Sequence, residues 1–462
     1  MNLRRTISNI ALMMLFIIYI AGLFTGKQFN VFTASAGAAV LVLNLPYMGK
    51  TFRLPAWIFC GLGILILLIS GAPAKSWADG INSMMKTVII LIAVQMLSIA
   101  IKAGGYENAV SNYMNRGIKK VSVLFIILLL LSHLLAGVMS LGSVVIILSA
   151  VMPAIKGRID KENRFAAEAI TIGYCTLFLW APGTVTVLMS MQVFELGWSQ
   201  YFVPAFMLAV LGLAMGCVWG IIRYGKIRFN NEFINADSTE TTCPAANDFS
   251  GRRKIAEMAL VMTIIVVGIT ALERLGFSNA TGRMIVVSVS VALIWVVLVT
   301  KNKFISIVPG IWWNEKLPNN VDLYTFFLSM GMFSAAVSYS GIERRLIDLC
   351  GYYQGFFEMW VLPALPLLII GLSLVGIHPF ISVLVVGPVL MGMHLPVSPL
   401  QLGLAMSLGC GLSYMVSPFA GLILTLAGNL KLSPADICFK INLRFAVLYY
   451  AAAELLIHFI RH

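Results

Sequence analysis

Charge is the scarcest resource in this chain. Only 11% of its 462 residues are charged, where an ordinary soluble domain carries roughly 25%. Acids are rarer than bases, 19 Asp and Glu against 32 Lys and Arg. With 60% hydrophobic residues, a chain of this size has far more apolar surface than a water-soluble core absorbs. Metal-ligand spacing is missing too. Seven cysteines are scattered, among them Cys60, Cys175, Cys217, Cys410 and Cys438 inside apolar runs, with no CxxC or His-Cys pattern, so neither a metal nor another resident cofactor is expected. No GxSG-like element marks a hydrolase. No small-x-small cleavage pattern follows the apolar run Ile10 to Gly26 behind Arg4 and Arg5, which argues for an uncleaved first span.

The net charge of +13 does not point to nucleic acid. Lys and Arg cluster in short loops between apolar runs, as the positive-inside bias predicts. Lipid is the partner this pattern implies.

The apolar runs predict an all-α membrane protein with about eleven transmembrane helices and two re-entrant hairpins. The spans are Ser8–Gly26, Val31–Tyr47, Leu54–Gly71, Met84–Ala103, Phe165–Phe194, Tyr201–Arg223, Ile255–Glu273, Met284–Val299, Asp322–Ser340, Gln401–Leu430 and Asp436–Ile460. Val121–Ile155 and Met359–His394 are too long for one crossing, and each is interrupted near its middle. Basic loops flank Val121–Ile155 on both sides (Arg116 to Lys120, Lys156 to Arg164), so this segment is expected to enter and return on one side. The same count places the N-terminus in the cytoplasm and makes the second hairpin dip from the other side.

The chain also repeats itself. Met96-Leu97-Ser98-Ile99-Ala100 through Gly105-Tyr106-Glu107 recurs, at an offset of 236, as Met332-Phe333-Ser334-Ala335-Ala336 through Gly341-Ile342-Glu343. Gly173, Pro182 and Leu188 fall on Gly409, Pro418 and Leu424 at that offset, and Gly137 and Ser143 fall on Gly376 and Ser382 at 239. Two copies of one unit in a membrane chain are the usual mark of a transporter built from structural repeats. The implied organisation is an extra N-terminal span (1–30) and a first repeat (31–224, with the hairpin 121–155). A hydrophilic cytoplasmic linker (225–254) then leads to a second repeat of inverted topology (255–462, with the hairpin 359–394). Gly105–Lys120 and Gly341–Gly355 read as amphipathic stretches lying at the interface.

Non-helical backbone survives at mid-membrane depth only when buried in protein or lining a watery cavity, so the interruptions mark the expected site. Four stand out: the tips Gly137–Ser143 and Gly376–Ser382, and the broken spans Trp180–Thr186 and Ser413–Gly421. Pro182 and Pro418 remove a backbone donor, and each new helix start offers free N–H groups to an anion. Hence Ser140, Gly142, Ser143, Pro182, Gly183, Thr184, His378, Pro379, Ser382, Ser417, Pro418 and Gly421 are the expected substrate-binding residues. His378 is the titratable group at a tip and the candidate for proton coupling. The acids Glu168, Glu257, Glu273, Asp322 and Glu454 lie nearer span ends. A cation antiporter or proton pump normally needs a buried carboxylate, so an anionic or neutral organic substrate is favoured.

In these respects the chain resembles the ion transporter superfamily, which includes the divalent-anion:sodium symporters, the citrate and gluconate permeases and the arsenite carriers. The likeness is architectural and runs from about Val31 onward. In the symporters a Ser-Asn-Thr motif at each hairpin tip helps form sodium and substrate sites. The corresponding positions here look like Ser140-Leu141-Gly142 and Pro379-Phe380-Ile381, and only the first Ser is kept. Pro182-Gly183-Thr184 and Ser417-Pro418 are similar to the broken-span motifs. The resemblance implies a transport domain moving against a scaffold domain, a homodimer, and Na+ or H+ as coupling ion. Leu141 and Phe380 supply no side-chain oxygen to a sodium ion.

The expectation is thus a non-enzyme: a secondary active transporter of a small organic anion, a carboxylate by preference, in the inner membrane. Two rivals are a structural or lipid-handling subunit of a larger assembly and an intramembrane hydrolase using Ser140 or Ser143 with His378.

Overall fold

A computed structural model describes residues 3–27, 29–106, 118, 120–139, 141–229, 248–342, 344–345, 348, 354–393 and 395–460. It is helical throughout, with no strand among the described residues. In chain order the helices are α1 (Leu3–Thr25), α2 (Asn30–Asn44), α3 (Lys50–Ile69), α4 (Ala74–Ser83), α5 (Met85–Ala103), α6 (Val121–Met139), α7 (Gly142–Ile155), α8 (Glu162–Leu177), α9 (Val185–Val193) and α10 (Trp198–Tyr224). The second half continues with α11 (Asp248–Arg274), α12 (Ala280–Thr300), α13 (Phe304–Ile311), α14 (Val321–Ser340), α15 (Gln354–Leu374), α16 (Pro379–Gly392), α17 (Pro399–Val416), α18 (Gly421–Leu430) and α19 (Leu443–Phe459). Ten helical segments among the described residues are long and apolar enough to cross a membrane. The all-α membrane fold expected from composition is the fold observed.

Nine of those ten coincide with expected spans. The tenth is α6, 19 residues long and expected to be only one arm of a hairpin. Its partner α7 has 14 residues, as does α16, whereas α15 has 21. Each expected hairpin therefore combines a long helix with a short one. At 1.5 Å per residue a 14-residue helix rises about 21 Å, short of a hydrocarbon layer about 30 Å thick. The expected linker is shorter than its sequence boundaries: residues 248–254 already belong to α11, where Arg253 Nε meets Glu257 Oε1 at 2.9 Å one turn on. Residues 230–247 and most of the two amphipathic stretches lie outside the described residues. Two short elements were not anticipated, α4 before α5, and α13 with its π-helical continuation Trp312–Lys316 before α14.

The chain divides into two compact units, each drawn from both halves of the sequence. The first comprises 1–103, 268–354 and 384–394. Its central helices α5 and α14 start at Met85 and Val321, positions related by the repeat offset itself. They exchange neighbours: α3, from the first half, packs on α14, and α12, from the second, packs on α5. The α3–α14 approach is a backbone contact. A methyl group on Gly63 would lie 2.9 Å from the Met332 carbonyl carbon. At the ends of these helices, Gly49 N donates to Asp322 Oδ2 at 2.9 Å and Glu273 Oε1 pairs with Arg283 Nη2 at 3.0 Å.

The second unit comprises 104–267, 355–383 and 395–462. Here α6 packs on α7, α8 and α10, and α17 packs on α8, α9, α18 and α19. Gly173 lets α6 and α8 touch. A Cβ there would sit 2.1 Å from the Leu129 carbonyl oxygen, closer than any side chain permits. The start of α17 is fixed by a capping box. Gln401 N donates to Ser398 Oγ at 3.2 Å, and Ser398 N donates to Gln401 Oε1 at 3.0 Å.

Candidate functional site

All four interruptions fall in the second unit. The two broken spans share one backbone design. Thr184 N donates to Ala181 O at 3.0 Å, and Ala420 N donates to Ser417 O at 3.1 Å. Each bond closes a four-residue turn with Pro182 or Pro418 at its second position, where the fixed φ of proline favours the turn. The helix resumes at Val185 in one case and at Gly421 in the other, again at counterpart positions of the repeat. Just ahead of each turn one carbonyl loses its helical partner. These are Leu179 O and its counterpart Met415 O. Tyr201 Oη donates to the first at 2.9 Å and Asn442 Nδ2 to the second at 3.0 Å. The donors are not counterparts of each other. Tyr201 sits in the first turn of α10, and Asn442 ends the π-helical turn Asp436–Asn442 ahead of α19.

The two broken spans approach each other at a pair of aromatic rings. Phe178 and Tyr414, counterparts at the repeat offset, stack on each other with centroids 4.2 Å apart and planes 7° from parallel. One turn back, a methyl group on Gly411 would lie 3.2 Å from the carbonyl oxygen of its own counterpart, Cys175. Helices α8 and α17 thus cross where equivalent residues face one another, as they do at a local two-fold axis. The first tip approaches the end of α8 and the second break: a methyl on Gly137 would lie 3.3 Å from Leu177 Cδ1, and one on Gly421 would lie 3.2 Å from Leu141 Cδ1. The second tip is tied to the second break, where Ser417 Oγ donates to Ser373 O at 2.7 Å. The turn at that tip needs Gly376, whose φ of +89° is a left-handed conformation.

The expected site residues that the structure describes all lie in this second unit. Ser143 is fully buried, and Ser382, its counterpart, is nearly so. Ser382 Oγ has no hydrogen-bond partner among the described residues, nor does the buried Thr186 Oγ1. Gly142 opens α7 with free space around it. Pro182 is buried, with Gly183 and Thr184 half-buried beside it. The Thr184 hydroxyl is turned back onto Ala181 O at 2.9 Å instead of capping α9. Pro379 begins α16, and its carbonyl faces Cys410 Sγ at 3.9 Å. Ser140 lies outside the described residues.

His378 lies between aromatic rings, 4.3 Å from the Phe380 centroid and 6.0 Å from that of Tyr414. Its Nδ1 accepts from Phe380 N at 3.4 Å, and its Nε2 is 3.5 Å from Tyr414 Oη. Both contacts are long for hydrogen bonds.

Several polar residues of this unit were not assigned a role from sequence. His133, on α6, accepts from Trp180 Nε1 at 3.1 Å through Nε2, and its Nδ1 lies 3.1 Å from Gly173 O. With Nε2 accepting, Nδ1 carries the proton and donates to the carbonyl, so the imidazole is neutral and both nitrogens are used. A His four residues before the tip glycine was the available signal. Ser407 joins Tyr201 at 2.6 Å and Ser190 at 2.8 Å. Glu168 is completely buried on α8 and accepts from Trp219 Nε1 at 2.9 Å, Arg223 Nη1 at 2.8 Å and Tyr224 Oη. Three donors from α10 hold this acid, so it is a tie between helices. Glu454 Oε1 is buried without a hydrogen bond among the described residues. No group of three or more His, Cys, Asp or Glu among them is arranged to hold a metal.

No family model matches the chain, and no curated protein matches it. Solved structures do. The YdaH transporter of Alcanivorax borkumensis, whose crystal structure was described as revealing an unusual topology, is similar over 88% of this chain and 98% of its own, at 12% identity and a TM-score of 0.60. MtrF of Neisseria gonorrhoeae, described among a class of antimetabolite efflux pumps, aligns over 89% of this chain and 96% of its own, at 14% identity and a TM-score of 0.45. At such identities the likeness to YdaH is one of fold.

Proposed function

We propose that this protein is a secondary active transporter of a small organic anion, with a carboxylate the favoured substrate. It would work by alternating access in the inner membrane, with its N-terminus in the cytoplasm. The reading rests on one observation above all. Two helices restart after the same proline turn, at counterpart positions of the repeat, inside one compact unit that also holds both hairpin tips. Restarted helices present free N–H groups with partial positive charge, a seat for a carboxylate. The hydroxyls of Thr186 and Ser382, without a hydrogen-bond partner among the described residues, add polar groups to the same unit. No Lys or Arg occurs in the four interrupted segments, which favours a monoanion over a highly charged substrate.

The short second arms of both hairpins support a re-entrant arrangement. Self-facing counterparts on α8 and α17 support two repeats of inverted topology. A substrate held by these elements would travel with one body, as in the ion transporter superfamily, and membership of that superfamily and a homodimer are part of this proposal. Coupling to protons through His378, or to Na+ through backbone carbonyls, completes it. The likeness in fold to the YdaH transporter fits this reading better than it fits a hydrolase or a structural subunit.

The test is uptake of labelled monocarboxylates into proteoliposomes under imposed Na+ and pH gradients. Gradient-driven accumulation that falls at least tenfold in Ser382→Val is expected. Absence of any gradient-driven uptake across a broad organic-anion panel, by protein that remains folded, would overturn the transporter reading. A His378→Ala protein that keeps its full response to a pH gradient would remove the proton assignment alone.

A further inference from the structure

The first unit contains a cavity of about 390 Å³ that the transport site does not use. It lies where chain turns gather at one end of the unit: behind the C-terminus of α1, before the N-termini of α2 and α12, and at the junction of α4 with α5. Arg4 and Arg5 are at the opposite end of α1. Two lysines line it, Lys27 and Lys86, and no acid is among its described lining residues. The rest of the wall mixes neutral polar groups with the apolar side chains of Ile18, Leu23, Phe29 and Met85. Asn82 braces it, donating through Nδ2 to Asn30 O at 2.9 Å and accepting from Thr33 Oγ1 at 2.8 Å. Asn279 caps α12 by accepting from Gly282 N at 2.8 Å, and the positive end of that 21-residue helix borders the cavity. Next to the cavity's lining residues in the chain, Phe24, Val31 and Phe32 are all exposed.

A pocket with two lysines, no acid among its described lining residues, amide and apolar groups in its wall, and an adjoining exposed apolar surface fits one class of ligand. We propose that it holds the phosphate of an anionic phospholipid, with Lys27 and Lys86 on the phosphate and the acyl chains along the apolar residues. The ends of apolar helices are where a bilayer places its headgroups, and long lysine side chains reach that level readily. The site is separate from the transport constellation and does not depend on it.

Native mass spectrometry of the full-length protein in mixed phosphatidylglycerol and phosphatidylcholine micelles tests the proposal. Retention of phosphatidylglycerol over phosphatidylcholine is expected. It should fall about fivefold in each of Lys27→Gln and Lys86→Gln, given the contribution of one lysine near an anionic membrane, and survive in Lys27→Arg/Lys86→Arg. Equal retention of the two lipids by the unaltered protein overturns the proposal without any variant. So does undiminished retention in a folded double Gln variant. If millimolar inorganic phosphate alone displaces phosphatidylglycerol and reproduces its thermal stabilisation, the pocket takes a free anion and the lipid assignment fails.

Discussion

The two broken spans have the same backbone and different chemistry. The same proline occupies the same position of the same turn, and equivalent carbonyls are left open ahead of it. Yet Tyr201 closes one carbonyl and Asn442 the other. The first break is further clamped by Trp180 on His133, while the second is anchored to its hairpin by Ser417 on Ser373. The first break is buried apart from the half-buried Gly183 and Thr184, and the second leaves Phe419 exposed at 59%. Repetition has kept the geometry that hydrogen bonding requires and let the donors differ, because any buried donor of the right reach satisfies an open carbonyl.

The equivalent glycines give the sharpest way to break this comparison. A methyl at Gly173 would collide with a backbone oxygen at 2.1 Å, whereas one at Gly409 would meet Pro366 Cα at 2.8 Å and the Ile369 side chain at 3.1 Å. Overpacking typically costs about 1–3 kcal/mol, the range expected for Gly409→Ala. Gly173→Ala should exceed about 4 kcal/mol, read as a lower unfolding temperature in detergent. Equal losses would mean that the two crossings are equally tolerant.

The carbonyl caps come next. Tyr201→Phe and Asn442→Leu each strand a buried carbonyl, at about 1–3 kcal/mol. The two caps share no hydrogen-bond partner. Their costs should therefore add within about 0.5 kcal/mol, and a larger coupling in the double variant would show that the breaks do not act separately. The smallest effect belongs to the stacked pair. Phe178→Leu should lose about 0.5–1.5 kcal/mol of ring stacking. An unchanged unfolding temperature would reduce that stack to a bystander.

Much of this was legible in the sequence. The prolines, the tip glycines and the repeat offset are local signals, and each marks an interruption that the structure contains. The caps were not legible. Tyr201 and Asn442 serve carbonyls 22 and 27 residues away, on helices whose docking the sequence does not specify. Glu168 read as an acid near a span end. Its burial depends on three side chains of α10, more than 50 residues further on. Hydropathy alone could not tell α6, a helix long enough to cross, from the arm of a hairpin. Amphipathic α4 was missed for a related reason: its low hydropathy hides it from a search for apolar runs.

Phe178 and Tyr414 carry one more consequence. When a residue lies against its repeat counterpart, identical side chains on the two would leave the contact symmetric. A group carried by only one of them breaks that symmetry. Here the difference is a single hydroxyl, and the ring that bears it is the one beside His378. A molecule halved by symmetry has in this way acquired a direction.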